Sequence, residues 1–170
     1  RVGIRSFTTT TGAWIRGILA NDYGVDLGSI RRITTTESAE YQPKFSPDGK
    51  QILFLGTRRG LTDLETTMED NHAWIINSDG TSRREIGSVI DNRQGNATFS
   101  GDGAHIYLTA QDRGHVRLHR ISVATGAAET VISDPGSVGG FSLSKNGSIA
   151  YLFTSPTDLA QLYLLEPSAR

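Results

Sequence analysis

The sequence contains no cysteine, which excludes disulfides, thiol catalysis and cysteine-ligated zinc. It has no basic surplus: 17 basic side chains stand against 18 acidic ones, for a net charge of −1. Nothing neutralises a phosphate backbone, so nucleic-acid binding is not expected. Basic charge is carried mostly by arginine, with lysine at Lys44, Lys50 and Lys145 alone. No run approaches the roughly 18 apolar residues that cross a membrane as a helix. The chain opens on Arg1 without a charged-then-apolar leader, so no signal peptide is read. That reading favours the cytoplasm and leaves localisation open.

What is present is the composition of a folded protein. Hydrophobic residues are 36% of the 170, and glycine adds 19 more. The glycine excess has a pattern. Phe45-Ser46-Pro47-Asp48-Gly49, Phe99-Ser100-Gly101-Asp102-Gly103 and Leu143-Ser144-Lys145-Asn146-Gly147 share one form: apolar, Ser, any residue, Asp or Asn, Gly. Two residues and an apolar run are expected to follow. Asp or Asn before Gly accepts the backbone of a tight turn, and the flanking β-branched and aromatic runs suit strands. Each copy therefore predicts a β-hairpin. Asp48, Asp79, Asp102 and Asn146 read as turn formers, not calcium ligands, because the alternating acidic pattern of a calcium loop is missing.

A third apolar run follows each hairpin: Trp74-Ile75-Ile76-Asn77, Leu118-His119-Arg120-Ile121 and Leu162-Tyr163-Leu164-Leu165. A fourth run closes the first two copies, at 83–86 and 129–132. The anchors Phe45, Phe99 and Leu143 lie 54 and 44 residues apart, and removing about ten extra residues at 61–70 makes both periods 44. Four short strands at this period predict β-propeller blades, at about 41–86, 95–132 and 138–166, in preference to a sandwich. By the same spacing, residues 30–35 take the place of a fourth strand from a preceding blade. The third copy stops after its third strand, and rings typically need 4–8 blades, so the repeat is expected to be an arc of a larger propeller.

Residues 1–29 do not carry the repeat. Val2 and Ile4 alternate as in a strand, and Thr8 to Thr11 with Gly12 make a polar loop. Trp14, Ile15, Ile18, Leu19 and Tyr23 then fall at helical spacing, with Thr11 as N-cap and Gly24 as stop. The expected fold is therefore mainly β: a partial propeller over 30–170, preceded by a strand–loop–helix unit over 1–29. The threonine loop reads as a capped connection, since no phosphate-loop pattern accompanies it.

The segment 31–170 resembles the noncatalytic propeller of bacterial prolyl-oligopeptidase-family serine peptidases, in the acylaminoacyl- and dipeptidyl-peptidase-like branch. Its carriers are the Phe45-to-Lys50 hairpin, the stretch from Tyr107 through Thr109-Ala110-Gln111-Asp112-Arg113-Gly114, Gly139-Gly140-Phe141-Ser142-Leu143-Ser144, and Ser155-Pro156-Thr157 before Leu162-Tyr163. TolB-like propellers share the Ser-Pro-Asp-Gly hairpin. Residues 61–70 do not match the family's insertion at the substrate entrance. Residues 1–30 are similar instead to solute-binding proteins grouped with 4,5-dihydroxyphthalate decarboxylase; a gene fusion, a gene remnant and a misjoined sequence all fit that junction.

The resemblance implies a propeller that gates or positions peptide for an α/β-hydrolase domain, or, in the TolB-like alternative, a scaffold for a protein partner. Catalysis by this chain is not expected. A hydrolase of the family needs a Gly-x-Ser-x-Gly elbow. Ser82 has Gly80 before it but Arg84 after it, and Ser142 has Gly140 before it but Ser144 after it. His115 and His119 lie about 13 Å apart along a strand and cannot clamp one metal, and no cofactor is expected. Strand histidines, His72 and His105 included, are expected to face solvent. Asn96-Ala97-Thr98 and Asn146-Gly147-Ser148 fit the glycosylation pattern, a short motif of low specificity. Asp112 and Arg113 are the candidate substrate-facing residues, with a loop salt bridge as the plainer role. Exposed blade edges add self-association to the expected behaviour.

Overall fold

The structure, a computed structural model, describes residues 18–58 and 70–167. The chain divides into two compact units, Arg1–Thr35 and Thr36–Arg170. In the first, helix covers residues 18–21 and ends where Gly24 takes a φ of 62°. Glycine enters this left-handed region without a Cβ clash, which makes it a natural helix stop. The Val25 N–H then folds back to donate to the Leu19 carbonyl at 2.8 Å. A short 3-10 turn, η1 (Leu27–Ser29), follows, with the Asp26 carboxylate accepting the Gly28 N–H at 2.9 Å. The strand, threonine loop and Thr11 cap read from the sequence lie outside the described residues.

Residues 30–35 form no strand, contrary to the spacing argument. A strand exists by pairing with a neighbour. The place upstream where that neighbour would lie is taken by helix and η1.

The second unit is built of antiparallel meanders. The first is β1 (Glu40–Phe45), β2 (Gln51–Gly56), β3 (His72–Asn77) and β4 (Arg84–Glu85), in that sheet order. The second is β5 (Gln94–Phe99), β6 (His105–Asp112), β7 (His115–Ser122) and β8 (Ala128–Ile132). The third is β9 (Ser137–Leu143), β10 (Ile149–Thr154) and β11 (Gln161–Leu165), joined to the second by one parallel bridge, Val116 to Ser137. The three meanders hold four, four and three strands in chain order.

The Ser-x-Asp-Gly hairpins hold themselves by local bonds. Ser46 Oγ donates to Asp48 Oδ1 at 2.7 Å and accepts the Gln51 N–H at 2.9 Å, while Asp48 Oδ1 also accepts the Lys50 N–H at 3.1 Å. Ser100, Asp102, Ala104 and His105 repeat the pattern, at 2.6, 2.9 and 2.9 Å. The hydroxyl and then the backbone N–H hold both carboxyls below the usual aspartate range. The third hairpin is one residue shorter. Ser144 N–H pairs with Ser148 O, whereas Ser46 and Ser100 pair five residues on, and Leu143 faces Ile149 directly. One residue, not two, therefore separates the third Gly from the isoleucine that pairs with its anchor.

Apolar residues collect between the blades, because strand side chains alternate and each sheet turns an apolar face to its neighbour. Leu53, Leu55, Ala73 and Ile75 of the first blade meet Ala97, Phe99, Ile106, Leu108 and Ile121 of the second. On the second blade's other face Tyr107, Leu118 and Ile132 meet Val138 and Ile149, with Phe141, Tyr151 and Phe153 packed around them. The far face of the third blade repeats this chemistry in Leu152, Leu162 and Leu164, yet these stay exposed, Leu162 at 75%.

Candidate functional site

The first strand of each blade carries a bulge or register shift, and these strands converge. In β1 the residues Gln42 and Pro43 lie between the pairs Tyr41–Leu55 and Lys44–Leu53. In β5 Asn96 and Ala97 lie between Gly95–Thr109 and Thr98–Tyr107. In β9 the shift falls opposite Leu152 and Phe153. Gln42 and Asn96 hold the same repeat position, each at φ 51°. An extra residue re-aims the strand and its following side chains, and left-handed backbone is uncommon outside glycine. Gly140 stands at that position in the third blade, where an added Cβ would meet nothing within 4 Å.

The re-aimed positions open on one cleft of about 480 Å³. Lys44, Thr98 and Ser142, each the residue before its repeat anchor, all line it, with Asn96, Gly139 and Gly140 beside them and Lys145 from the third hairpin. The donors are thus an ammonium, hydroxyls and a carboxamide on strands, with bare backbone where the glycines lie. Partial burial lowers the Lys44 ammonium from its usual range. Sequence reading missed this set. The signal was present, since one repeat position holds Lys, Thr and Ser in turn.

A buried polar network occupies another place, between the first two blades. Gln94 is 2% exposed. Its Oε1 accepts the Ala73 N–H at 2.8 Å, and its Nε2 donates to the Gly87 and Ile90 carbonyls at 2.9 and 2.8 Å. His72, 3% exposed, holds its Nδ1 3.0 Å from Glu85 Oε1. That nitrogen carries the proton and donates it to the carboxylate. Both Gln94 amide hydrogens are already used on carbonyls, so its 3.3 Å approach to His72 Nδ1 is a contact and not a bond. Arg58 closes the network, donating from Nε and Nη2 to Glu85 and from Nη1 to Asp91 at 2.8 Å. Burial, and then the Arg58 charge, lower the His72 pKa.

The expectation of solvent-facing histidines fails here, because His72 is closed in by Glu85 of β4 and Gln94 of β5. His105, His115 and His119 are half-buried. His115 Nδ1 accepts the Gly136 N–H at 3.1 Å, and His119 Nδ1 lies 3.3 Å from Thr130 Oγ1, so the two serve separate partners.

Asp112 and Arg113 sit at the tip between β6 and β7. Asp112 pairs with His115, leaving a two-residue loop in which Arg113 and Gly114 take φ of 50° and 83°, the signature of a type I′ turn. Asp112 Oδ2 accepts from Arg117 Nε at 2.9 Å; Arg113 reaches the same carboxylate at 3.8 Å with its side chain 93% exposed. Among the described residues no group of three acidic or histidine side chains is placed to hold a metal. Residues 61–69 of the insertion lie outside the described part.

Repeated antiparallel meanders, packed face to face with apolar layers between them, define a β-propeller module. Solved propeller structures are similar to it in fold. TolB from Acinetobacter baumannii is similar over 82% of this chain and 33% of its own, at 17% identity and a TM-score of 0.62. The β-propeller domain of the trilobed protease from Pyrococcus furiosus matches 69% of this chain and 34% of its own, at 23% identity and 0.53. The acylaminoacyl peptidase of Pyrococcus horikoshii matches 69% of this chain and 17% of its own, at 24% identity and 0.55. The chain spans about a third or less of these proteins' lengths, and at these identities the likeness is one of fold. No family model matches the sequence, and no curated protein matches it. None of these neighbours supports a solute-binding likeness for residues 1–30.

Proposed function

We propose that residues 36–170 act as a noncatalytic propeller module that holds peptide across the convergent first strands and positions it for a separate hydrolase domain. The observation that carries this is the convergence itself: Lys44, Thr98 and Ser142 bring hydrogen-bond donors from three blades to one cleft. Donors fixed on strands suit the recognition of an extended chain. Arg113, exposed at the β6–β7 tip, does not line this cleft. The sequence has no nucleophile elbow, so chemistry falls to the hydrolase.

The test pairs two assays on the purified chain. Fluorescence anisotropy with short labelled peptides is expected to give saturable binding. Incubation with peptide p-nitroanilides is expected to give no release of nitroaniline. Turnover that survives further purification refutes the noncatalytic assignment, and absence of binding to every peptide refutes the peptide reading. A second reading, a scaffold for a folded protein partner, is supported by the likeness to two TolB structures, which covers 82% and 80% of this chain. It predicts capture of an intact folded protein and no affinity for its isolated peptides.

A further inference from the structure

The first-strand cleft contains two cations and, among the described residues lining it, no anion. This imbalance runs against the composition, in which acids outnumber bases by 18 to 17 and lysine is scarce. Two of the three lysines line this one cleft. Elsewhere, cations meet carboxylates: Arg58 with Glu85 and Asp91, Arg93 with Asp70, Arg117 with Asp112, Arg120 with Glu129. Among the described residues neither Lys44 nor Lys145 has such a partner.

The neighbouring groove shows the contrast. It holds about 820 Å³ between the second and third blades and carries Asp102, Glu129 and Glu166 opposite Arg120. Lys145 borders both spaces, and none of those acids lies within ion-pair distance of it. Partial burial already lowers the Lys44 ammonium, so a negative partner there regains the lost solvation. Around the two lysines stand Asn96, Thr98 and Ser142, and Gly139 and Gly140 leave the β9 backbone open to close approach.

We propose that this cleft binds a carboxylate, that of a peptide C-terminus or of an acidic side chain, with Lys44 and Lys145 supplying the charge and Thr98, Ser142 and Asn96 the orienting hydrogen bonds. This deepens the peptide-binding reading and rests on it.

The experiment measures anisotropy of three labelled peptides against the full chain. One has neutral side chains and a free C-terminus. The second is the same peptide amidated. The third is amidated with one internal glutamate. The free-carboxylate or the glutamate peptide is expected to bind about tenfold tighter than the neutral amide, and the arm that gains affinity names the source of the carboxylate. Lys44→Gln and Lys145→Gln each erase the preference, and Lys44→Arg keeps it. Neither lysine belongs to the buried core, so the variants are expected to melt as the parent does; if Lys44→Gln melts lower, Lys145→Gln carries the comparison. Equal binding of all three peptides, or a preference that survives both Gln variants, overturns the carboxylate assignment and leaves peptide binding standing. Binding of none of the three removes the peptide reading and the carboxylate assignment with it.

Discussion

Replacing Gln94 by alanine is expected to destabilise the second unit by about 3 kcal/mol. The figure comes from the groups left behind. Gln94 satisfies the Ala73 N–H and the Ile90 carbonyl, and shares the Gly87 carbonyl with the Ile90 N–H, all beside the core between the first two blades. A buried group stripped of its partner costs about 1–3 kcal/mol, and water entering the vacated space offsets part of that. Gly87 supplies the control. A Cβ built there lies 2.2 Å from Gln94 Oε1 and 2.6 Å from Nε2. Three hydrogen bonds pin the amide, so Gly87→Ala forces it out and breaks the same bonds. The two substitutions should each cost about 3 kcal/mol, and the double variant little more than either, giving a coupling of about 2 kcal/mol or more. Urea unfolding followed by tryptophan fluorescence measures all four corners of the cycle. A Gln94→Ala loss under about 1 kcal/mol, or simple additivity, refutes the reasoning.

Two further outcomes follow from the same packing. His72 has its pKa lowered by burial and by Arg58, so the unfolded chain takes up protons that the folded one refuses. Stability from this residue is full above its unfolded pKa, about 6.5, and is lost as pH falls through the lower folded value. Urea midpoints between about pH 7 and 5 should therefore decline in the parent and decline less in His72→Gln; equal slopes count against the assignment. Leu53→Ala, which opens a cavity in the first interblade layer, should cost about 2–5 kcal/mol, whereas Leu162→Ser on the exposed far face should change stability by less than about 0.5 kcal/mol. A large loss at Leu162 in thermal or urea melts means that this face is covered in solution.

The blades were legible in the sequence because their turns are made locally. Ser46, Asp48 and Gln51 bond within five residues of one another, so the Ser-x-Asp-Gly pattern contains its own cause. The type I′ turn at Arg113-Gly114 is local in the same way. The Gln94 network joins Gln94 to Ala73, 21 positions away, and Arg58 to Glu85, 27 away, and no short window of sequence contains it. The misread strand at 30–35 had the right spacing but no strand to pair with among the described residues. The shortened third hairpin escaped because Ser148 and Ile149 align acceptably with Lys50 and Gln51; only the register tells that Ile149 holds the place of Ile52. The cleft was hidden for a related reason. Lys44, Thr98 and Ser142 look unremarkable singly, and repetition gives them meaning only once the strands converge.

The apolar layers lie between sheets and not within any one of them, and this governs how the molecule comes apart. Each layer belongs to one pair of neighbouring blades: the first layer contains no residue of the third blade, and the second contains none of the first. The module therefore behaves as a short chain of nearest-neighbour couplings with the second blade as its shared link. Opening of the third blade leaves the first layer whole. Amide exchange under native conditions should grade accordingly, slowest in β2, β3 and β6, and faster in β10 and β11, where one face already meets water.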